Sequence, residues 1–197
     1  MIDVISLPYK AIRRICRIYS NRKLRKKLRH LGSNSYVLNP LKIHSPENIS
    51  IGNNVRIGNH TWLAAVPLTG EENCELIFKD GATIGDFNHI YATGSVVFEK
   101  DALTANFVYI SDNLHCFEDI KMPIKDQPIK QLRHVTIGEG CWIGEHVSII
   151  GSSIGKHSVI GANSVVTHDI PDYCVAVGNP TKVIKKYDFN LKKWVKC

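Results

Sequence analysis

The sequence predicts a mainly β chain, a solenoid of short strands wound into stacked three-sided coils. Three observations predict it. Aliphatic residues recur every six positions, as Ile51, Ile57 and Leu63 and as Ile137, Ile143 and Ile149, then as Ile154, Ile160 and Val166 after a one-residue slip. Glycine follows the aliphatic in Ile51-Gly52, Ile57-Gly58, Ile84-Gly85, Ile137-Gly138, Ile143-Gly144, Ile154-Gly155 and Ile160-Gly161. A small or β-branched residue stands four after it, as at Val55, Thr61, Cys141, Val147, Ser158 and Ser164. Neither a helix of period 3.6 nor an alternating strand sustains a period of six. Three six-residue sides close one coil if one aliphatic per side points inward and glycine takes the tight corner. Each inward aliphatic is worth roughly 1.5–3 kcal/mol. A coil buries its faces only against its neighbours, so stability lies in the stack.

Residues 1–35 read as a basic helical extension. Ile12, Ile15, Ile18 and Tyr19, then Leu24, Leu28 and Leu31, make an apolar stripe over 9–31, and Gly32 is a natural stop. Residues 1–30 hold ten Lys/Arg and one acid, Asp3. Their charge of +9 exceeds the +7 of the whole chain, so the body is net −2. A nearly neutral body argues against a nucleic-acid binder. Two readings of the extension stay open: an end cap or subunit contact with a solvated basic face, or an interfacial helix over residues 1–31 on anionic lipid. No secretory pattern opens the chain, no run of eighteen apolar residues exists, and six scattered cysteines form no C-x-x-C pair. These features predict a cytoplasmic protein with reduced thiols, peripheral at most at the inner face of a membrane.

Hexads start near residue 43 and run to 68, and 69–75 is a polar loop. Weaker hexads occupy 76–110 and the best ones 135–168. Between them, 111–134 does not repeat and holds Asp112, His115, Glu118, Asp119, Pro123, Pro128 and Arg133. A long excursion from a strict solenoid is commonly functional. The period is lost after Pro171, through Gly178-Asn179-Pro180. A short lysine-rich C-terminal helix is expected, with Trp194 packed on the body. The domain limits are therefore 1–35, 36–187 and a tail of 188–197.

Two stretches carry a resemblance. One is Ile110-Ser111-Asp112-Asn113-Leu114-His115, followed by Pro123-Ile124, Gln127-Pro128-Ile129 and Val135-Thr136-Ile137-Gly138. The other runs from Val159 to Pro171 and on through Val175-Ala176-Val177-Gly178-Asn179-Pro180-Thr181-Lys182-Val183-Ile184. Over residues 43–187 the chain resembles the hexapeptide-repeat acyltransferases, in their sugar and polysaccharide O-acetyltransferase branch. The resemblance implies a left-handed parallel β-helix, a homotrimer with sites at its subunit interfaces, acetyl-CoA as co-substrate and a saccharide acceptor. No metal is expected.

Acyl transfer to a hydroxyl needs a base, an oxyanion donor and two aligned substrates. His115 stands where the family carries its catalytic histidine, and an imidazole with its ordinary pKa of about 6.5 suits proton transfer near neutrality. Asp112 is expected to orient that imidazole or bind the acceptor, with turn capping as its alternative. Asn88 and Tyr91 are expected at the acceptor. By resemblance, the CoA groove takes in Trp142, Gly144 and Ala162, and its phosphates and adenine meet Thr167, His168, Lys182 and Lys185. A neutral His168, where relatives often carry lysine or arginine, would hold phosphate less tightly.

The expected activity is acetyl-CoA-dependent O-acetylation of a saccharide in surface-polysaccharide synthesis, by direct transfer in a ternary complex. An N-acyltransferase on an amino sugar is the alternative, because the same base serves an amine. A non-catalytic scaffold would need neither His115 nor the Gly-Asn-Pro tail. A zinc site of the β-helical carbonic-anhydrase type would need an H-x4-H pair that is missing. Cys116 beside His115 is a weaker candidate, as a covalent nucleophile.

Overall fold

A computed structural model describes residues 22–71 and 73–197. The chain is a parallel β-helix with three flat faces. The first face stacks strands His30–Leu31, Ile49–Ile51, Glu75–Phe78, Ser95–Phe98 and Val135–Ile137, continued by bridges through Ile154 and Ile170. The second stacks Tyr36–Val37, Arg56–Ile57, Thr83–Ile84, Leu103–Thr104, Trp142–Ile143, Val159–Ile160 and Cys174–Val177. The third stacks Lys42–His44, Trp62–Ala65, His89–Ala92, Tyr109–Ser111, Ser148–Ile150 and Val165–Val166. Every pairing between successive coils is parallel and in register.

The six-residue pattern does what its spacing implies. Ile51, Ile57, Leu63, Ile84, Ile137, Ile143, Ile149, Ile160 and Val166 are wholly buried in one continuous core. The residues four further on, Val55, Thr61, Cys141, Val147, Ser158 and Ser164, are buried as well. Glycine marks corners where coils nearly touch. A Cβ on Gly144 would lie 2.7 Å from the Ala162 nitrogen of the next coil. The register slip after Ile149 is absorbed at the corner from third to first face, where Gly151 takes φ +55°, a left-handed conformation open to glycine.

The weaker hexads of 76–110 form coils as regular as the rest. Their first-face anchors are Phe78 and Phe98, in register with Ile51 and Ile137. The two rings stack at 4.8 Å and 18°. The residues four further on shrink to Ala82 and Ala102, both buried, so the coil keeps its volume.

Both ends correct the sequence reading. The helix expected over 9–31 covers only 22–25 among the described residues, and the stripe residues Ile12, Ile15, Ile18 and Tyr19 lie outside them. By residue 30 the chain is already strand, paired with Ser50 and Ile51. Leu28 and Leu31 are buried over the open end of the prism, and the Arg25 guanidinium donates to the Leu31 and Gly32 carbonyls. The first coil thus begins at 30, not at 36 or 43. The C-terminal helix is instead two strands, Lys182–Asp188 and Lys193–Lys196, added antiparallel to the second face. The exposed edge of Cys174–Val177 offers unpaired backbone groups, which a strand satisfies and a helix does not. The lysines then keep the new edge charged.

Candidate active site

The longest departure from the coil path among the described residues is 112–134, between the fourth and fifth coils at the corner from third to first face. It leaves as a two-stranded antiparallel ribbon, Asn113–His115 against Ile129–Gln131. His115 ends the outgoing strand, exposed to solvent, three residues from the corner. The tip beyond it exposes Phe117, Ile120, Met122 and Ile124.

Asp112 sits at the root of this ribbon, fully buried. Its Oδ1 accepts from the Thr93 N–H at 2.8 Å and the Asn113 amide at 2.9 Å. Its Oδ2 accepts from the Gly94 N–H at 2.8 Å. This corrects the expectation for Asp112: its oxygens are committed to the coil below and face neither His115 nor solvent. A buried donor left without its acceptor costs about 1–3 kcal/mol. Asp112→Ala strands two backbone N–H groups, so a loss of about 2–6 kcal/mol is expected in denaturant unfolding. A loss below about 1 kcal/mol would contradict this account.

Asn88 is corrected in the same way. It is buried, and its amide donates to the Thr104 hydroxyl at 2.7 Å and the Ala105 carbonyl at 3.1 Å while Oδ1 accepts from the Val108 N–H at 2.6 Å. It ties one corner to the next and has nothing left for an acceptor. Tyr91 does stand beside the loop root, where the Asn113 amide reaches its carbonyl at 3.4 Å. Its ring belongs to an outward-facing cluster on the third face that the sequence reading missed. Trp62 stacks on His89 at 4.2 Å, and Tyr91 and Tyr109 meet His89 edge-on. Burial pushes the Tyr91 phenol up and the His89 imidazole down from their ordinary ranges. Trp62 Nε1 and His89 Nε2 are buried without hydrogen-bond partners among the described residues. The signal was available as aromatic residues at outward positions of three successive third-face strands.

The expected CoA residues fall into two groups. Trp142, about half exposed at 51 %, shares one row of the second face with Leu103, Val159, Val175 and Lys185. Gly144 and Ala162 flank it at the corner toward the third face, and Lys182 opens the added strand opposite Val177. Trp142, Gly144, Ala162, Lys182 and Lys185 make one open strip. Thr167 and His168 do not join it. They are exposed at the other edge of the third face, the corner that also carries His115. In a three-sided prism that corner lies opposite the second face. A single chain therefore does not bring Thr167 and His168, or His115, to the Trp142 strip.

The cysteines of the coils are structural. Burial drives the Cys74 thiol to about 12 and the Cys141 thiol to about 11, and raises Cys174. Such thiols are poor nucleophiles at neutral pH. Among the described residues no group of three or more His, Cys, Asp or Glu could hold a metal ion, and no helix is long and apolar enough to cross a membrane.

Stacked triangular coils, glycine corners and one long histidine-bearing excursion define a hexad solenoid. Residues 134–168 match the family model described as bacterial transferase hexapeptide (six repeats). The chain is 36 % identical over 129 residues to the Escherichia coli (strain K12) protein named "Putative lipopolysaccharide biosynthesis O-acetyl transferase WbbJ", covering 62 % of this chain and 66 % of that one. It is 38 % identical over 149 residues to the Mycobacterium tuberculosis protein named "Probable acetyltransferase Rv3034c", covering 74 % of this chain and 47 % of that one. The matched stretch thus spans from about half to just under two thirds of these relatives' own lengths. Among solved structures, a point mutant of AntD, an N-acyltransferase from Bacillus cereus in complex with dTDP and coenzyme A, superposes with a TM-score of 0.70 at 22 % identity, covering 86 % of this chain and 90 % of that one. At that identity the superposition shows the fold. Residues 134–168 therefore carry the hexapeptide repeat of bacterial transferases, and the chain is similar to named acetyltransferases over 62 to 74 % of its own length.

Proposed function

We propose that this protein transfers an acetyl group from acetyl-CoA to a saccharide hydroxyl, with His115 as general base, in clefts between copies of the chain. One observation carries the reading: the long excursion presents an exposed imidazole on the side of the prism opposite a strip shaped for close approach of a narrow ligand. A site that unites them takes the loop of one copy and the strip of the next, as a closed ring such as a trimer would. Thr167 and His168, on the loop's side of the prism, then face the same cleft.

The His115 imidazole takes the proton of the acceptor hydroxyl as its oxygen attacks the thioester carbonyl. A backbone N–H holds the oxyanion. The C–S bond then breaks, CoA leaves as the thiol with the proton returned by the imidazolium, and the acetyl ester remains on the sugar. No covalent enzyme intermediate enters this route. Removing the proton from the acceptor oxygen is the difficult part in water, and positioning both substrates supplies much of the remaining rate. The names of the relatives, which include an O-acetyl transferase of lipopolysaccharide biosynthesis, support a glycan hydroxyl as the acceptor.

Two tests bear on this. Purified protein with acetyl-CoA should release CoA in the presence of some member of a panel of surface-glycan sugars, and amino-sugar members of the panel decide between oxygen and nitrogen acylation. Mixed assemblies test the cleft. His115→Ala and Ala162→Arg are each expected to be inactive, one lacking the base and the other filling the strip from an exposed corner position. Refolded together at equal ratio, they should regain about a quarter of wild-type turnover, because one cleft in four pairs an intact loop with an intact strip. No regain from the mixture would place both halves of the site in one chain.

A further inference from the structure

We propose that Gln131 is a positioning residue, which fixes the aim of His115 by clasping both ends of its loop to a second loop 62 residues earlier in the chain. The proposal rests on His115 being the base.

Gln131 closes the returning strand of the ribbon, opposite Asn113. Its amide nitrogen donates to the Asp112 carbonyl at 2.9 Å, so one side chain joins the loop's exit to its entry. Its Oε1 accepts from the Thr93 hydroxyl at 2.8 Å and from the Thr69 hydroxyl at 2.7 Å. Thr93 lies in the tight corner of the coil below, wholly buried. Thr69 lies in the polar loop between the second and third coils, which leaves the prism at the same corner. Gln131 thus spends its amide on three anchors along one edge of the helix. The next two residues brace the opposite direction. Leu132 packs over Gly151, where a Cβ would meet its side chain at 2.7 Å. Arg133 pairs with Asp169 at 2.8 Å, and Asp169 also accepts from the Ser153 N–H at 2.8 Å.

The loop is therefore tied at its neck to corners on both sides, while His115 stands only three residues beyond the tie. A two-stranded ribbon is marginal on its own, so its angle to the prism depends on the neck. Misplacing a reacting group by about 1 Å costs on the order of 10²-fold in rate. Loosening the clasp should accordingly act on the catalytic step more than on acetyl-CoA binding, whose strip lies on another face.

The test compares Gln131→Ala, Thr69→Val and Thr69→Ser with wild type and with His115→Ala. Amide hydrogen exchange over 113–130 is read alongside kcat and the acetyl-CoA KM. Gln131→Ala should speed exchange in that window more than tenfold and lower kcat by 10- to 100-fold, with KM within twofold. Thr69→Val should do the same more weakly, and Thr69→Ser, which keeps the hydroxyl, should behave as wild type. Unchanged exchange in Gln131→Ala and Thr69→Val overturns the clasp. Faster exchange with full turnover, while His115→Ala is inactive, overturns the positioning role alone. Full turnover in His115→Ala overturns the base assignment instead. Should Gln131→Ala fail to fold, the Thr69 pair decides, since its loop lies outside the coil core.

Discussion

Turnover of His115→Ala is expected to fall by about 10²–10⁴-fold, the usual share of a general base. Affinity for acetyl-CoA should stay within twofold. The reason for the split is geometric. His115 projects from the corner between third and first faces, whereas Trp142, Gly144, Ala162, Lys182 and Lys185 line the second face and its far corner. In the proposed cleft the imidazole would meet the reacting end of the thioester, and the strip would meet the length of the pantetheine arm. The measurement is initial rate at saturating acetyl-CoA, with the binding isotherm taken separately. Full turnover would remove His115 from the mechanism, and a lost isotherm with intact kcat would make it a ligand for CoA. The neighbouring Cys116 gives an internal control: Cys116→Ser should keep most activity if transfer is direct, and lose it if the thiol is acylated.

Phe98→Ala is expected to be the most damaging core substitution, at about 3–5 kcal/mol. For a chain of 197 residues that corresponds to a fall of roughly 10 °C in the unfolding midpoint, at about 2–4 °C per kcal/mol. Phe98 is wholly buried and stacks on Phe78 at 4.8 Å, so the deletion removes both transfer energy and a ring pair. The cavity is expected to persist, because the buried residue four further on in the same coil is only Ala102 and offers no bulk to fill it. That small residue gives a second arm. Ala102→Val alone should cost about 1–3 kcal/mol through overpacking. Combined with Phe98→Ile it should cost less than the two singles summed, because the pair restores the Ile–Val style of the second coil, where Ile51 faces Val55. Strict additivity would mean that the two positions do not share volume.

The same pair shows why parts of the fold were hard to read in the sequence. The best hexads join isoleucine to glycine, and Phe78-Lys79 and Phe98-Glu99 break both habits while keeping the volume constant across the coil. The C-terminal segment was hard to read for another reason. Val183, Lys185 and Tyr187 alternate as a strand would, but the lysine-rich run is equally tolerable as a helix. What decides between them is the free edge of Cys174–Val177, which lies in the coil before it. At the candidate site, the excursion was legible from the break in period, and His115 was singled out on it by the family resemblance of its motif. Asp112 and Asn88 were legible only as polar residues near it. Their partners Thr93, Gly94, Thr104 and Val108 stand 16 to 20 residues away, one coil distant, and no local pattern announces them.

The six-residue period by itself determined the prism, its inward side chains and the place where the chain leaves it, because those depend on spacing within a coil. Only the tertiary structure decided which polar groups are spent on neighbouring coils, that the tail joins the sheet, and that the imidazole and the small-residue strip lie on opposite sides of one molecule. Those outcomes depend on which corner each residue reaches when the coils stack, and a one-residue change of register moves a side chain from one face of the wall to the other.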